Sequence, residues 1–176
     1  MHTASLKKAG MFVTKYAKKN DKVLDVGSAI VQDDSVNGVS YKSVFPPDFV
    51  EYTGLDIEAG NNVDLVVKDP YKWTELEDDT FDIVMSGSTF EHIEFFWLTF
   101  EEMVRVLKPK GYIFLLVPKV HVQHRFPIDC WRFYPDSMIA LAKYTGIKCL
   151  CSHADHIPNY TKISINPHDC VGVFQK

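Results

Sequence analysis

The sequence is short of several features that would place a protein quickly. It has no run of about 18 apolar residues, the length a bilayer-spanning helix needs, so nothing in it marks a membrane span. Met1 to Asn20 has lysines scattered through it and no continuous apolar stretch, which is not the pattern of a secretory signal. Cysteine is sparse: Cys130, Cys149, Cys151 and Cys170 form no C-x-x-C pair. That spacing fits neither a disulfide framework nor a standard zinc site, even with His153, His156 and His168 nearby. The expectation is reduced, buried, small apolar cysteines in a cytoplasmic protein, with no metal ligands assigned. An excess of positive charge is also missing. The net charge of −4 argues against non-specific nucleic-acid binding. The lysines near the start (Lys7, Lys8, Lys15, Lys18 and Lys19) are expected to form a solvated helix face. Finally, there is no G-x-G-x-x-G fingerprint of a dinucleotide-binding turn, no internal repeat and no low-complexity linker.

What is present is an ordinary globular composition, 46% hydrophobic and 24% charged, in 176 residues. That is enough for one domain with a full core. Ser5 to Lys19 has helical periodicity, with Leu6, Ala9, Val13, Tyr16 and Ala17 on one face. Short apolar strands are expected at Lys22–Val26, Tyr52–Ile57, Val63–Val67 and Phe81–Ser86. Trp97 to Leu107 is helical in pattern, and Pro109 and Gly111 are expected to stop it. Tyr112–Val117 is apolar at every position, as in a parallel strand buried on both faces. A helix with proline in its first turn follows at Pro135–Tyr144, then strands at Ile147–Ser152 and Cys170–Phe174. Strands alternating with helices indicate a doubly wound, Rossmann-like α/β sheet with helices on both faces. One domain over 1–176 is expected: an N-terminal helix (1–20), a cofactor-binding half (21–118), and a substrate loop with the C-terminal strands (119–176).

In such a sheet ligands bind beyond the carboxyl ends of the strands. Three acids stand at those ends in succession: Asp25, Asp56 and Asp69. An acid after the second strand is able to accept both ribose hydroxyls of a nucleoside, and Gly27 lets backbone approach a ligand where a Cβ would collide. An acid after the third strand is able to accept from an adenine amino group. Each residue also has a purely local reading: Asp25 orders its own turn, and Asp69 is a loop residue before Pro70.

The segments VLDVGS (23–28), YTGLDI (52–57), the acid of VVKDP (66–70), FDIVMSGSTFEHI (81–93) and EEMVRVLKPKGYIFLLVP (101–118) resemble those of class I S-adenosylmethionine-dependent methyltransferases. The likeness runs from Lys22 to Phe174 and is most specific from the fourth strand to the fifth. It implies a seven-stranded sheet of order 3-2-1-4-5-7-6 with the last strand antiparallel, and S-adenosylmethionine as cofactor. Carried over, Asp25, Gly27 and Ser28 would form the loop under the methionine moiety. Asp56 would hold the ribose, Ile57 would lie against the adenine, Asp69 would face its amino group, and Ser86 and Gly87 would line the methionine end. The first loop departs from the family: Ala29 stands where a glycine is usual, and Asn37-Gly38 comes only after a polar detour. Val36, Asn37, Gly38, Ser40 and Tyr41 look like the second half of a compact loop seen in a subgroup, which makes Ile30 to Ser35 an elongation.

The segment Pro118–Met138, dense in polar and aromatic side chains, is the candidate substrate loop. His124 and Asp129 are candidate catalytic residues there, or Asp129 pairs with Arg132 to pin the loop, while Trp131 and Phe133 are expected to cap the core. His92, after the fourth strand, is the third candidate: a neutral imidazole accepts a proton from a nucleophile near neutral pH. Its alternative is a hydrogen-bond network with Glu91 at a helix start. Methyl transfer gains much of its rate from alignment and does not demand a base. The expected function is methyl transfer to a small-molecule or sugar-like acceptor, without nucleic acid or membrane. No Asn-Pro-Pro-Tyr-type motif follows the fourth strand, which speaks against a nucleic-acid substrate. The alternatives are a non-catalytic binding or regulatory domain of the same fold and, more weakly, a nicotinamide-dependent oxidoreductase.

Overall fold

A computed structural model describes residues 3–30, 39–155 and 168–176. Residues 31–35 of the elongated first loop, with Val36, Asn37 and Gly38, lie outside the described residues, as does His156. The elements in chain order are α1 (Thr3–Tyr16), β1 (Lys22–Val26), β2 (Glu51–Asp56), β3 (Leu65–Val66), β4 (Phe81–Gly87), α2 (Phe96–Val106), β5 (Leu107–Val120), α3 (Pro135–Thr145), β6 (Lys148–Ala154) and β7 (His168–Gln175). Two short 3₁₀ turns, Tyr41–Val44 and Phe90–His92, join them.

All seven strands lie in one sheet of order β3-β2-β1-β4-β5-β7-β6. β1 runs parallel to β2 and β4, and β4 to β5; β7 is antiparallel to both β5 and β6. The expected doubly wound, Rossmann-like architecture is present. Alternate residues of the central strands face opposite sides, so each strand feeds two cores. On one side Leu24, Val84 and Leu115 pack with Phe100 and Met103 of α2 and with Met138 and Leu141 of α3. On the other, Val23, Ile83, Met85 and Phe114 pack with Ala9, Phe12 and Val13 of α1 and with Tyr41. Burial on both faces is why these strands carry apolar residues with little alternation.

Several details differ from expectation. α2 ends at Val106, and β5 begins at once, pairing Leu107 with Phe81 before a register shift to Ile83–Tyr112. Pro109 and Gly111 therefore sit in a bend within the strand, where a Cβ on Gly111 would stand 2.8 Å from the Asp82 carbonyl. β3 keeps only two residues. Asp64, expected in that strand, turns its carboxylate to accept from the Gly54 N–H at 2.8 Å. Of the cysteines only Cys170 is buried. A bulge between Cys149 and Cys151 breaks the simple alternation, leaving Cys149 half-buried and Cys151 exposed. Lys8 is not on a solvated face: it bridges Asp155 at 2.7 Å and Asp169 at 2.9 Å, tying α1 to the sheet. No helix among the described residues is long and apolar enough to cross a membrane.

Candidate active site at the strand ends

β1 and β4 are neighbours in the middle of the sheet, so the loops leaving them open into a common space. Gly27 takes φ +76°, and a Cβ there would stand 2.2 Å from Thr89 Cγ2 in the loop after β4. Gly87 is equally tight: its Cβ would stand 1.9 Å from the Tyr41 hydroxyl oxygen. Both glycines are needed for close approach rather than for freedom alone. Between them is a cleft of about 110 Å³, whose walls include Asp25, Gly27, Ser28, Tyr41, Gly87 and Ser88. A broader hollow of about 400 Å³ lies along Lys110, Gly146 to Lys148 and Gln175 to Lys176; it contains no imidazole or carboxylate side chain.

The loop after β1 is strapped to the β2–β3 connection. The N–H groups of Gly27 and Ser28 both donate to the Leu55 carbonyl, at 2.9 and 3.1 Å. The Ser28 hydroxyl donates to the Asn62 carbonyl, and the Asn62 amide returns a bond to the Ser28 carbonyl, at 2.9 and 3.0 Å. Asp56 Oδ2 accepts from the Ala29 N–H at 3.0 Å, and Oδ1 from Ile57 at 2.8 Å. Ala29 thus occupies the position expected of a glycine with its backbone fixed by the carboxylate at the end of β2.

Asp25 is 3% exposed, and its Oδ2 accepts from the Tyr52 hydroxyl. Burial, with the Asp56 charge nearby, pushes its pKa up to about 7, against the Tyr52 hydrogen bond. The Tyr41 hydroxyl is buried with no hydrogen-bond partner among the described residues. Burial, and the carboxylates of Asp25, Asp169 and Glu91, hold its pKa well above the usual phenol value. Ser86 sits within β4 with its hydroxyl donated to the Val26 carbonyl at 2.8 Å, so only its backbone faces the strand ends. Ile57 is 52% exposed. Asp69 is also exposed, with Oδ1 accepting from the Tyr71 N–H at 2.8 Å. Sequence reasoning did not single out Tyr52, and it met Tyr41 only as a loop residue.

The three catalytic candidates come together on the other side of the β4 end. The Phe90–His92 turn places Glu91 and His92 there, and the Pro118–Met138 segment folds over them. The Cys130 N–H donates to the Glu91 carbonyl at 2.7 Å, and His92 Nδ1 lies 2.5 Å from the Ile128 carbonyl. The rings of His92 and His124 meet edge-on, centroids 4.9 Å apart. Asp129 accepts from the His124 N–H at 2.7 Å and from Arg132 Nη2 at 2.7 Å. The Arg132 guanidinium holds its carboxyl well below the usual carboxylate range. That carboxylate is committed to the loop's own geometry. Phe133 is buried in the core, while Trp131 remains partly exposed and donates its indole N–H to the Ile93 carbonyl at 3.0 Å.

Glu91 is the residue sequence reasoning underweighted. It is 1% exposed, and its Oε2 has no partner among the described residues. Burial pushes its pKa up to about 8, with Asp129 and Asp169 adding and Arg132 opposing. Its Oε1 lies 3.7 Å from His92 Nε2 and 3.8 Å from His124 Nε2. The adjacent Glu-His pair after an apolar strand was its only local signal.

A family model described as a methyltransferase domain matches residues 38–115. No curated protein matches. Solved structures do, over nearly the whole chain. An S-adenosylmethionine-dependent methyltransferase from Methanosarcina mazei superposes with a TM-score of 0.68 at 14% identity, covering 94% of this chain and 96% of that one. The Burkholderia thailandensis 1,6-didemethyltoxoflavin-N1-methyltransferase, solved with 1,6-didemethyltoxoflavin and S-adenosylhomocysteine, gives 0.68 at 15% identity, covering 98% and 78%. The [4+2]-cyclase SpnF gives 0.72 at 14% identity, covering 98% and 81%. Sheet order and whole-chain likeness agree on the fold, which is that of the class I S-adenosylmethionine-dependent methyltransferases, and the match to the methyltransferase-domain model covers residues 38–115 of it.

Proposed function

We propose that the chain transfers a methyl group from S-adenosylmethionine to a small-molecule acceptor in the cytoplasm, without nucleic acid or membrane. The observation that carries this reading is the strapped loop after β1, with Asp56 at its side and the cleft between Gly27 and Gly87 at its end. The residues fit the cofactor: two glycine positions leave no room for a side chain, and a buried tyrosine hydroxyl there has no partner among the described residues. Asp25, Gly27, Ser28 and the backbone of Ser86 and Gly87 would surround the methionine end. Asp56 would hold the ribose with its remaining lone pairs, Ile57 would cover the adenine, and Asp69 would meet its amino group. When bound, the cofactor supplies an electrophilic methyl group on a cationic sulfur. The chain's own part is to align the acceptor and take its proton. Nδ1 of His92 faces an acceptor, the Ile128 carbonyl, so it carries the hydrogen and Nε2 keeps its lone pair for a hydroxyl or amine proton. His124 stands beside it, and Asp129 with Arg132 holds His124's backbone in place. The exposed rings of Phe126 and Trp131 are the acceptor's apolar contacts. The likeness to the 1,6-didemethyltoxoflavin-N1-methyltransferase and to a sarcosine dimethylglycine methyltransferase from Galdieria sulphuraria supports a small acceptor.

One observation favours the second reading, a non-catalytic binding domain: the cleft of about 110 Å³ is below the roughly 300–1,000 Å³ usual for ligand pockets. Thermal unfolding with S-adenosylhomocysteine, S-adenosylmethionine and NADH separates the readings. Ligand at about a hundred times its dissociation constant adds about 2.7 kcal/mol, a midpoint rise on the order of 5–10 °C for a chain this size. A rise with the two sulfur compounds alone is expected. No rise with any of them at millimolar concentration rejects the methyl-transfer reading, and a rise with NADH alone points to an oxidoreductase.

A further inference from the structure

We propose that Glu91, His92 and His124 form a binding site for a divalent transition metal of the zinc class. Their ligand atoms all lie within 4.8 Å of one another. Hydrogen bonding decides which ring nitrogens face the site. His92 Nδ1 lies 2.5 Å from the Ile128 carbonyl, an acceptor only, so the ring hydrogen is there and the Nε2 lone pair turns toward Glu91. His124 Nδ1 has the Val122 carbonyl at 3.2 Å and Asp129 Oδ2 at 3.6 Å, both acceptors, with His121 Nδ1 at 3.1 Å. His121 Nδ1 is itself 2.9 Å from the Val122 carbonyl; with His121 Nδ1 as the acceptor of this pair, the hydrogen on His124 is at Nδ1 and its Nε2 lone pair faces Glu91. Two imidazole lone pairs and the Glu91 carboxyl converge there, and a bound metal would take the place of any proton on that carboxyl.

The spacing suits a metal better than hydrogen bonds. Separations of 3.7 and 3.8 Å from Glu91 Oε1 to the two Nε2 atoms exceed hydrogen-bond reach. Bonds of about 2.0–2.1 Å in a tetrahedral site put ligand atoms about 3.3 Å apart, so each imidazole must close on Glu91 by about half an ångström, and the set as a whole must draw in from a spread of up to 4.8 Å. Each ligating ring would also donate its other N–H to a carbonyl or carboxylate, as ligating histidines do. Glu91 Oε2, buried and without a partner among the described residues, is a further ligand atom on the same carboxylate. Two histidines and one glutamate form a three-ligand set that leaves a position open. The His124 side chain, 27% exposed, lets solvent in from that side.

A consequence concerns the acceptor. An oxygen acceptor at the open position would lose its proton more easily beside the metal. His92 and His124 would then be ligands, and their role as bases would belong to the metal-free form. This consequence rests on the methyl-transfer reading. The metal site does not, and its test reads the metal alone.

The test is a titration of the chelator-treated full chain with Co²⁺, followed by visible absorption, and with Zn²⁺, followed by calorimetry. The expected result is one equivalent of Co²⁺ with d–d bands of a four- or five-coordinate nitrogen–oxygen site, displaced by Zn²⁺. Glu91→Gln and His124→Ala should each weaken binding by at least about tenfold, and Cys130→Ser should leave it unchanged. Absence of binding in the folded wild-type chain overturns the assignment, as does a thiolate charge-transfer band or binding unaltered in either ligand variant. His124 lies on a partly exposed loop, so its variant is expected to fold even if Glu91→Gln does not. The wild-type spectrum reports the ligand type in either case.

Discussion

Replacing Gly27 with alanine tests the closeness on which the proposed cofactor loop depends. Two costs add. At φ +76° an alanine adopts the left-handed region, at about 1–2 kcal/mol. The new Cβ would also stand 2.2 Å from both Thr89 Cγ2 and Oγ1 and 2.7 Å from Thr89 Cβ. Turning the Thr89 side chain relieves the first two contacts and not the third, so backbone must move. Overpacking of this kind costs about 1–3 kcal/mol. The expected loss is about 2–5 kcal/mol, and with about 2–4 °C per kcal/mol in a chain this size the midpoint falls by about 5–20 °C. Urea unfolding of the wild type, Gly27→Ala, Thr89→Gly and the double variant separates the terms. Thr89→Gly removes the clash and not the backbone cost, so the double variant should recover the overpacking part alone. A Gly27→Ala loss below about 1 kcal/mol, or no coupling with Thr89→Gly, would refute the reasoning.

Three further outcomes follow from the same geometry. Asp25 has a folded pKa of about 7, above its unfolded value, so the folded state holds a proton that the unfolded state releases between about pH 4 and 7. Stability should therefore fall as pH rises through that window, by up to about 1.4 kcal/mol per pH unit. In Asp25→Asn this share of the slope should vanish, which urea midpoints from pH 5 to 8 measure. Arg105 donates to Glu102, to Asp78 and to the carbonyls of Trp73 and Leu76, knotting the β3–β4 connection to α2. Arg105→Ala should cost about 2–3 kcal/mol in urea unfolding, and Arg105→Lys should recover less than half, lacking the planar fork. Asp129→Asn breaks the pair with Arg132; trypsin should then cleave after the exposed Arg125 faster than in the wild type, at unchanged global stability of the sheet.

The middle of the sheet was legible because its central strands are buried on both faces, so their apolar runs stand out whatever their partners. Lys22–Val26 matches in full, and Glu51–Asp56 is displaced by one residue. Prediction was weakest where a tertiary contact overrides a local signal. Lys108 to Gly111 has turn chemistry, yet Leu107 is drawn into the sheet by Phe81. The two 3₁₀ turns are too short to show a period. Lys8 looks like surface until β7 brings Asp169 beneath it. In the candidate site, residues following strands could be named from order alone. Tyr52 on Asp25, Ala29 on Asp56 and His124 near Glu91 could not, since each pair is 27 or more residues apart.

The candidate acceptor side is built so that recognition and chemistry share one frame. The Phe90–His92 turn holds Glu91 and His92, and the following loop is fastened to it at Ile128, Cys130 and Trp131. Phe133, with its N–H on the Pro118 carbonyl at 2.9 Å, anchors the far end to β5. Between these anchors, Phe126 projects into solvent while its ring stays 5.9 Å from the ring of His92. A contact at the loop tip therefore bears on the imidazoles directly, because the same few hydrogen bonds orient both. The loop after β1 follows the same logic with different partners, fastened to the β2–β3 connection by Leu55, Asp56 and Asn62. Fastening on the two sides of the β4 end would leave little reorganisation for the proposed methyl transfer, which gains its rate from alignment.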